Sequence, residues 1–342
     1  MKTFSNPNVA VVGATGAVGT TMVSILEQRG YPVANLRLMA SERSAGRVVE
    51  TAWGSVTVED LATADPAGID VALFSAGGGR SKQYAPAFAA AGATVIDNSS
   101  AFRMDDDVPL VVANVNDEAI RAHDGIVANP NCTTMAVMMA AGPLHRAAGM
   151  KSMIATSYQS VSGSGQTGMT QLQKEVDHHA MNQEGLASGD WTDPGGDLYA
   201  RPIAYNVLPL AGSLTELGYT DEEWKLVNET RKILERDDIR VEPTCVRVPV
   251  MVGHGIATTM WFDRPVDLDE AVAVLGAAPG VQLWDDTKVP TPLDSAGIDD
   301  VLVGRLRETV GTPGGISLFA IGDNLRKGAA LNAEELAELL LD

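Results

Sequence analysis

The run Gly13-Ala14-Thr15-Gly16-Ala17-Val18-Gly19 follows the compact apolar stretch 9–12 and opens an apolar-periodic stretch over 20–29. No other feature of the chain restricts its fold as strongly, because a glycine pattern of this spacing between a strand and a helix has few structural solutions. Gly13 permits the tight turn, Gly16 lets backbone approach a pyrophosphate, and Gly19 allows close helix–strand contact. The helix carries Met22, Val23, Ile25 and Leu26 inward and stops at Gly30. Buried-strand candidates follow at 36–40, 71–74, 94–96, 110–112 and 126–128, with helical stretches at 82–91 and 117–122. This alternation predicts an α/β fold with a Rossmann-type, doubly wound parallel sheet. A glycine loop can be a plain turn, but position and context favour dinucleotide binding.

Past Cys132 the texture changes. A helix over about 134–148 leads to a strand at 153–158, the turn Ser162-Gly163-Ser164-Gly165, and a helical stretch to about Met181. Residues 184–196, rich in Gly, Asp and Pro, read as a loop. The stretches 246–252, 256–263 and 302–307 read as strands of an antiparallel sheet, with a helix at 268–275 among them. These elements predict a second, α+β domain. Asn332-Ala333-Glu334-Glu335 reads as an Asn version of the capping box, ahead of a helix with Leu336, Leu339 and Leu340 on one face.

The second strand's end chooses the cofactor. Asp or Glu there suits the ribose hydroxyls of NAD, and Arg accommodates the 2′-phosphate of NADP. Ser41-Glu42-Arg43-Ser44 is mixed. Glu42 suits the ribose, but Arg43 between two serines makes the better phosphate nest, which favours NADP over a solvated loop charge.

A chain of 342 residues with a formal net charge of −19 accommodates two full cores and lacks the basic surface that nucleic-acid binding needs. An anionic substrate would be repelled overall, so its site must concentrate Arg and Lys locally. No apolar stretch is long enough to span a bilayer, and residues 1–8 lack a signal-peptide pattern. Two distant cysteines form no disulfide framework, which fits a reducing cytoplasm.

Cys132 lies in Asn129-Pro130-Asn131-Cys132-Thr133-Thr134, where the turn should place it at a helix start. Free N–H groups and the helix dipole favour a thiolate nucleophile there; the competing reading is a small buried hydrophobe. A nucleophile needs a base. Among five histidines, His123 and His145 read as surface residues, His178 and His179 as an exposed face, with no metal-ligand spacing around them. His254, between Gly253 and Gly255 at a junction of two apolar strands, is the best general base. Arg247 interrupts an apolar strand pattern and needs a partner, either a substrate carboxylate or an internal acid. Gln159 and Ser160 end a strand beside the glycine–serine turn, which can present N–H groups to a reacting carbonyl. Arg103 and Lys225 are candidate anion-binding cations.

Together these stretches resemble the aspartate-β-semialdehyde dehydrogenase family. The resemblance rests on Gly13-Ala-Thr-Gly-Ala-Val-Gly19, Ser41-Glu-Arg-Ser-Ala-Gly46, Asp97-Asn-Ser-Ser-Ala-Phe-Arg103 and Asn129-Pro-Asn-Cys-Thr-Thr134. It continues in order through Ser157-Tyr-Gln-Ser-Val-Ser-Gly163, Asn228-Glu-Thr-Arg-Lys232, Arg247-Val-Pro-Val250, Gly253-His-Gly255 and Asp323-Asn-Leu-Arg-Lys-Gly-Ala-Ala330. It implies a glyceraldehyde-3-phosphate-dehydrogenase-like architecture: an NADP-binding domain over 1–132, a catalytic and dimerisation domain over 133–322, and a C-terminal helix over 323–342 returning to the first domain. The implied reaction is reductive dephosphorylation of L-aspartyl-4-phosphate by NADPH, giving L-aspartate 4-semialdehyde and phosphate, on the route to lysine, methionine, threonine and diaminopimelate.

By the same resemblance Cys132 is the acyl-thioester nucleophile, His254 the acid/base, and Gln159 orients the acyl group. Arg247 binds the substrate carboxylate and Glu222 its amino group, Asn131 lies in the substrate site, and Arg103 and Lys225 hold the phosphate. Gly13, Thr15, Gly16, Ala17, Val18, Ser41, Arg43, Ser44, Ser162, Gly163 and Asn324 contact NADP. A homodimer is implied, without metal, nucleic-acid or membrane partners. The alternatives are an N-acetyl-γ-glutamyl-phosphate reductase-like enzyme and a non-catalytic paralogue.

Overall fold

A computed structural model describes residues 3–180, 182–285 and 287–342. The elements run β1 (Asn8–Val12), α1 (Ala17–Arg29), β2 (Asn35–Ala40), β3 (Val48–Thr51), β4 (Gly54–Asp60), β5 (Val71–Phe74), α2 (Gly78–Ala90), β6 (Thr94–Asp97) and β7 (Ile126–Ala128). They continue through α3 (Cys132–Ala148), β8 (Met150–Gln159), α4 (Gly165–His179), α5 (Gln183–Ser188), α6 (Asp221–Ile233), β9 (Arg240–Arg247) and β10 (His254–Phe262). The chain closes with α7 (Leu268–Gly276), β11 (Val281–Leu283), α8 (Pro292–Ser295), β12 (Val301–Glu308), β13 (Gly315–Gly322) and α9 (Leu331–Glu338).

The first sheet has the order β3-β4-β2-β1-β5-β6-β7 and is parallel except where β3 meets β4. Its central strands are buried apolar runs, as a sheet covered on both faces requires. Here the doubly wound expectation holds. The close approach predicted at the glycine loop is literal: a Cβ on Gly19 would lie 2.1 Å from the carbonyl oxygen of Gly13, and one on Gly13 2.2 Å from that of Ser75. A Cβ on Gly16 would meet only the Gly13 carbonyl, at 3.4 Å, so Gly16 keeps the mouth of α1 open instead of tightening the packing.

The second sheet runs β11-β12-β13-β10-β8-β9. It is mixed, not antiparallel as predicted, because β9 runs parallel to β8 and β11 parallel to β12. The crossover from β8 to β9 carries α4, α5 and α6, and a long connection of this kind permits the parallel pairing. The strand predicted over 246–252 ends at Arg247: Pro249 sits inside a tight turn closed by Val250 N–H on the Val248 carbonyl. Helix α4 ends at His179, and the predicted end at Met181 lies outside the described residues. The predicted loop 184–196 begins inside α5.

Two further expectations fail for one reason. Residues 110–112 form no strand beyond a single bridge to β7, and Asn332 caps no helix. Instead the buried Asn332 accepts from Ala113 N–H and donates to the Val111 carbonyl, while Asn116 serves Val112 N–H and the Leu110 carbonyl. Side-chain amides thus replace the missing neighbour strand. Residues 117–122 are a 3-10 turn. The C-terminal segment passes from a π-helical turn at Arg326–Ala330 into α9; Leu336 of this helix and Leu340 just after it pack into the core of the first sheet.

Candidate active site

The register of the second sheet assembles the site. Arg247 pairs with Gln159, and Gln159 pairs with His254, at the ends of β9, β8 and β10. Directly opposed residues share a face of a sheet, so residues nearly a hundred positions apart form one row. All three are buried. Gln159 Nε2 donates to Thr133 Oγ1 at 2.9 Å and to Ser157 Oγ at 3.2 Å, which ties the row to the turn that carries Cys132. Arg247 Nη1 donates to the Ser160 carbonyl at 2.8 Å. A Cβ on Gly163 would fall 3.2 Å from both Arg247 Nη1 and His254 Nε2, so Gly163 borders the point where the two side chains converge.

Cys132 is the first residue of α3, as predicted. Asn131 caps the helix, its Oδ1 accepting from Thr133 N–H at 2.9 Å. The expected thiolate is not stabilised in the free protein, however. Burial pushes the Cys132 thiol up to about 11 and the Glu222 carboxylate adds to this, outweighing Arg103, Arg247 and the Thr133 N–H. The Thr133 N–H at the helix N-terminus does not compensate for desolvation here. His254 is pushed down to about 3, by burial first and by Arg247 second. Its Nδ1 accepts from Ser160 N–H at 3.1 Å, which assigns the neutral ring's proton to Nε2. Nε2 is buried with no hydrogen-bond partner among the described residues. The resting pair is therefore neutral thiol and neutral imidazole.

The other histidines divide differently from the expectation. His178 is exposed, but His179 is buried against Tyr205 and does not belong to an exposed face. His123 and His145 are half-buried, each with Nδ1 accepting a backbone N–H, from Gly125 and Met150 respectively. Among the described residues no group of three or more His, Cys, Asp or Glu is placed to hold a metal.

Arg103 and Lys225, distant in sequence, line one cavity of about 450 Å³ with Ser100, Trp224 and Asn228. Burial works against the Lys225 charge, but Glu222 and Asp221 more than offset it and raise its pKa. Glu222 bonds Lys225 Nζ at 2.7 Å and Asn131 Nδ2 at 3.1 Å, so it stands between the cation and the turn that carries Cys132.

On the first domain, Thr15 Oγ1 donates to Ser44 Oγ at 3.2 Å and draws the glycine loop to the turn that carries the exposed Arg43. No side chain caps α1 at Gly16, so the first-turn N–H groups at Ala17 and Val18 are available to an anion. This end fits a dinucleotide. Ser162 and Asn324 lie elsewhere: Asn324 Oδ1 accepts from Ser160 Oγ, Ser162 Oγ and Gly253 N–H. They brace the loop around His254.

Comparison with known proteins agrees with this geometry. The family pattern described as semialdehyde dehydrogenase, NAD binding domain, matches residues 8–123, and that described as semialdehyde dehydrogenase, dimerisation domain, matches 142–327. The chain belongs to the aspartate-semialdehyde dehydrogenase family. It is 53% identical to the aspartate-semialdehyde dehydrogenase of Corynebacterium glutamicum over 97% of this chain and 99% of that one. The enzyme of Mycolicibacterium smegmatis is 48% identical, with 97% and 98% covered. The crystal structure of aspartate semialdehyde dehydrogenase II from Vibrio cholerae superposes with a TM-score of 0.93 at 42% identity, covering 98% of both chains.

Within this aspartate-semialdehyde dehydrogenase fold, two groups at the site were not singled out from the sequence. Ser75 to Gly77, with Gly78 and Gly79 opening α2, form a second strand–glycine–helix turn after β5, beside the loop at Gly13. The order β2-β1-β5 puts both turns at the switch point where a dinucleotide lies. The triple glycine after an apolar run was the available signal. Glu229, buried within a stretch already noted for its resemblance, bonds both Arg103 and the backbone of Asn131. No sequence pattern marks that pairing.

Proposed function

We propose that this chain reduces L-aspartyl-4-phosphate to L-aspartate 4-semialdehyde and phosphate with NADPH, through a thioester on Cys132. The row Arg247–Gln159–His254 facing a capped cysteine, beside a cavity holding Arg103 and Lys225, carries this reading. Arg247 takes the substrate carboxylate and Glu222 the ammonium. With Asn131 at the turn and Gln159 fixed by Thr133 and Ser157, the acyl carbon is held at sulfur. The C–S bond forms as the C–O bond to phosphate breaks, and the thiol proton leaves with hydrogen phosphate. Arg103 and Lys225 neutralise the departing charge. When bound, the reduced nicotinamide supplies the hydride that brings the thioester to the aldehyde. His254 acts through Nε2–H, because Ser160 N–H holds Nδ1: the neutral ring donates a hydrogen bond to the oxygen or sulfur on which charge develops, and as the C–S bond breaks the Cys132 thiolate takes its proton from solvent.

Thr15, Gly16, Ala17 and Val18 suit the pyrophosphate, and Arg43 with Ser41 and Ser44 the 2′-phosphate of NADP; Ser162, Gly163 and Asn324 shape the side towards His254. Arg43→Ala should weaken NADP binding by roughly tenfold or more, the loss of one charge-assisted hydrogen bond, with little effect on NAD. Fluorescence titration of both nucleotides reads this, and equal losses count against the 2′-phosphate role. The reaction itself is tested in reverse: semialdehyde plus NADP should give NADPH only when phosphate or arsenate is present.

We place the domain limits at 1–132, 133–322 and 323–342, supported by one core around the first sheet that includes Leu336 and a separate core around α3 and the second sheet. We also propose a homodimer built on the second sheet. Alternate residues of β8, among them Ile154 and Tyr158, expose apolar surface on the face away from α3. Sedimentation equilibrium should give twice the chain mass; a monomer at micromolar concentration would contradict it.

A further inference from the structure

Helix α6 presents Glu222, Lys225, Glu229 and Lys232 at helical spacing along one side. Lys232 Nζ donates to the carbonyls of Arg103, Asp105 and Val108 at 2.7–2.9 Å, which docks α6 on the segment after β6. Beside it, Glu229 is 1% exposed. Its Oε1 accepts from Arg103 Nη1 at 3.0 Å, and its Oε2 from Asn131 N–H at 2.7 Å. Arg103 gives Nε to the Asn129 carbonyl at 2.8 Å and Nη2 to the Asn98 carbonyl at 2.7 Å. Three of its five N–H groups are thereby committed to the protein and two remain. One buried carboxylate joins the guanidinium that lines the anion cavity to the residue immediately before the nucleophile.

We infer that Glu229 is a positioning residue which fixes the distance and orientation between phosphate-binding Arg103 and the Cys132 turn, so that leaving group and acyl carbon are presented together. This rests on the reaction proposed above. The mechanism is specific to a carboxylate. Both partners of Glu229 are donors, so both oxygens must be acceptors. A carboxamide has one acceptor and would turn its NH2 group against the other donor, releasing either Arg103 or Asn131. Aspartate keeps both acceptors on a shorter arm. Arg247, which holds the far end of the substrate, lies on a different element and donates to the Ser160 carbonyl.

The test compares Glu229→Gln and Glu229→Asp in the phosphate-dependent oxidation of aspartate semialdehyde by NADP. Glu229→Gln should lower kcat/KM for phosphate by about tenfold or more, the scale of a lost charged hydrogen bond, and leave KM for the semialdehyde within about twofold. Glu229→Asp should recover part of that loss. Should Glu229→Gln fail to fold, judged by its thermal transition and NADP binding, Glu229→Asp alone should still show the phosphate-selective loss. Unchanged phosphate kinetics in a folded variant overturns the inference, as does a loss shared equally by both substrates. If the unaltered enzyme oxidises the semialdehyde without needing phosphate, the proposed reaction falls and this role with it. Phosphate dependence in the unaltered enzyme, with no change in the variants, removes only the role of Glu229.

Discussion

Cys132→Ala should reduce phosphate-dependent NADPH formation by at least about a thousandfold, the scale on which removal of a covalent nucleophile acts. NADP affinity should be unchanged, because Cys132 opens α3 while the turn proposed for the pyrophosphate opens α1. A fully active Cys132→Ala enzyme would end the thioester mechanism. The thiol's environment adds a second readout. With burial and Glu222 holding it near 11, alkylation of Cys132 in the free enzyme should accelerate with rising pH through the alkaline range. A rate already at its plateau near neutrality would mean a resting thiolate. Cys245 does not confuse the measurement, since it is wholly buried and pushed up to about 12, mainly by that burial.

His254→Asn should lower kcat by about 10²–10⁴-fold, the range for loss of a proton donor or acceptor. Semialdehyde binding should suffer less, because the proposed partner of its carboxylate is Arg247. Wild-type kcat in His254→Asn would exclude the ring from the chemistry. The same substitution should alter stability in acid. Folded His254 titrates near 3 and an unfolded histidine near 6.5, so between those values the unfolded chain binds more protons. Stability from this group is therefore intact above about 6.5 and is lost as pH falls towards 3. Between pH 6.5 and 5 the wild type should lose up to about 2 kcal/mol more than the variant, at about 1.4 kcal/mol for each pH unit. Urea titrations across that interval measure the difference, and parallel losses would mean that His254 is not held neutral.

Much of the fold is legible because its signals are local. Val9 to Val12 followed by Gly13, Gly16 and Gly19 reads as strand, turn and helix, and the strand–helix alternation yields a doubly wound sheet. Where the reading failed, a distant partner intervened. Asn332 resembles a helix cap, yet its amide serves the 110–113 backbone, more than two hundred positions away. His179 follows the exposed His178 in sequence, but tertiary packing against Tyr205 buries it.

The site divides along the same line. Residue types, turn chemistry and spacing mark Cys132, His254, Arg247 and the glycine loop, because a nucleophile at a capped turn and a charge within an apolar strand are unusual wherever they occur. Their arrangement is a matter of register. A shift of one residue between β8 and β10 would turn His254 and Gln159 to opposite faces, and nothing within either strand alone fixes that pairing. Ionisation state was equally hidden: the sequence put Cys132 at a helix start, where thiolate is favoured, and only the packed interior decided that burial and Glu222 together outweigh Arg103, Arg247 and the Thr133 N–H. The chain by itself determined which groups are available for the chemistry, since that follows from local covalent and conformational preference. The tertiary structure decided which groups meet and in what protonation state, since both depend on long-range pairing and the exclusion of water.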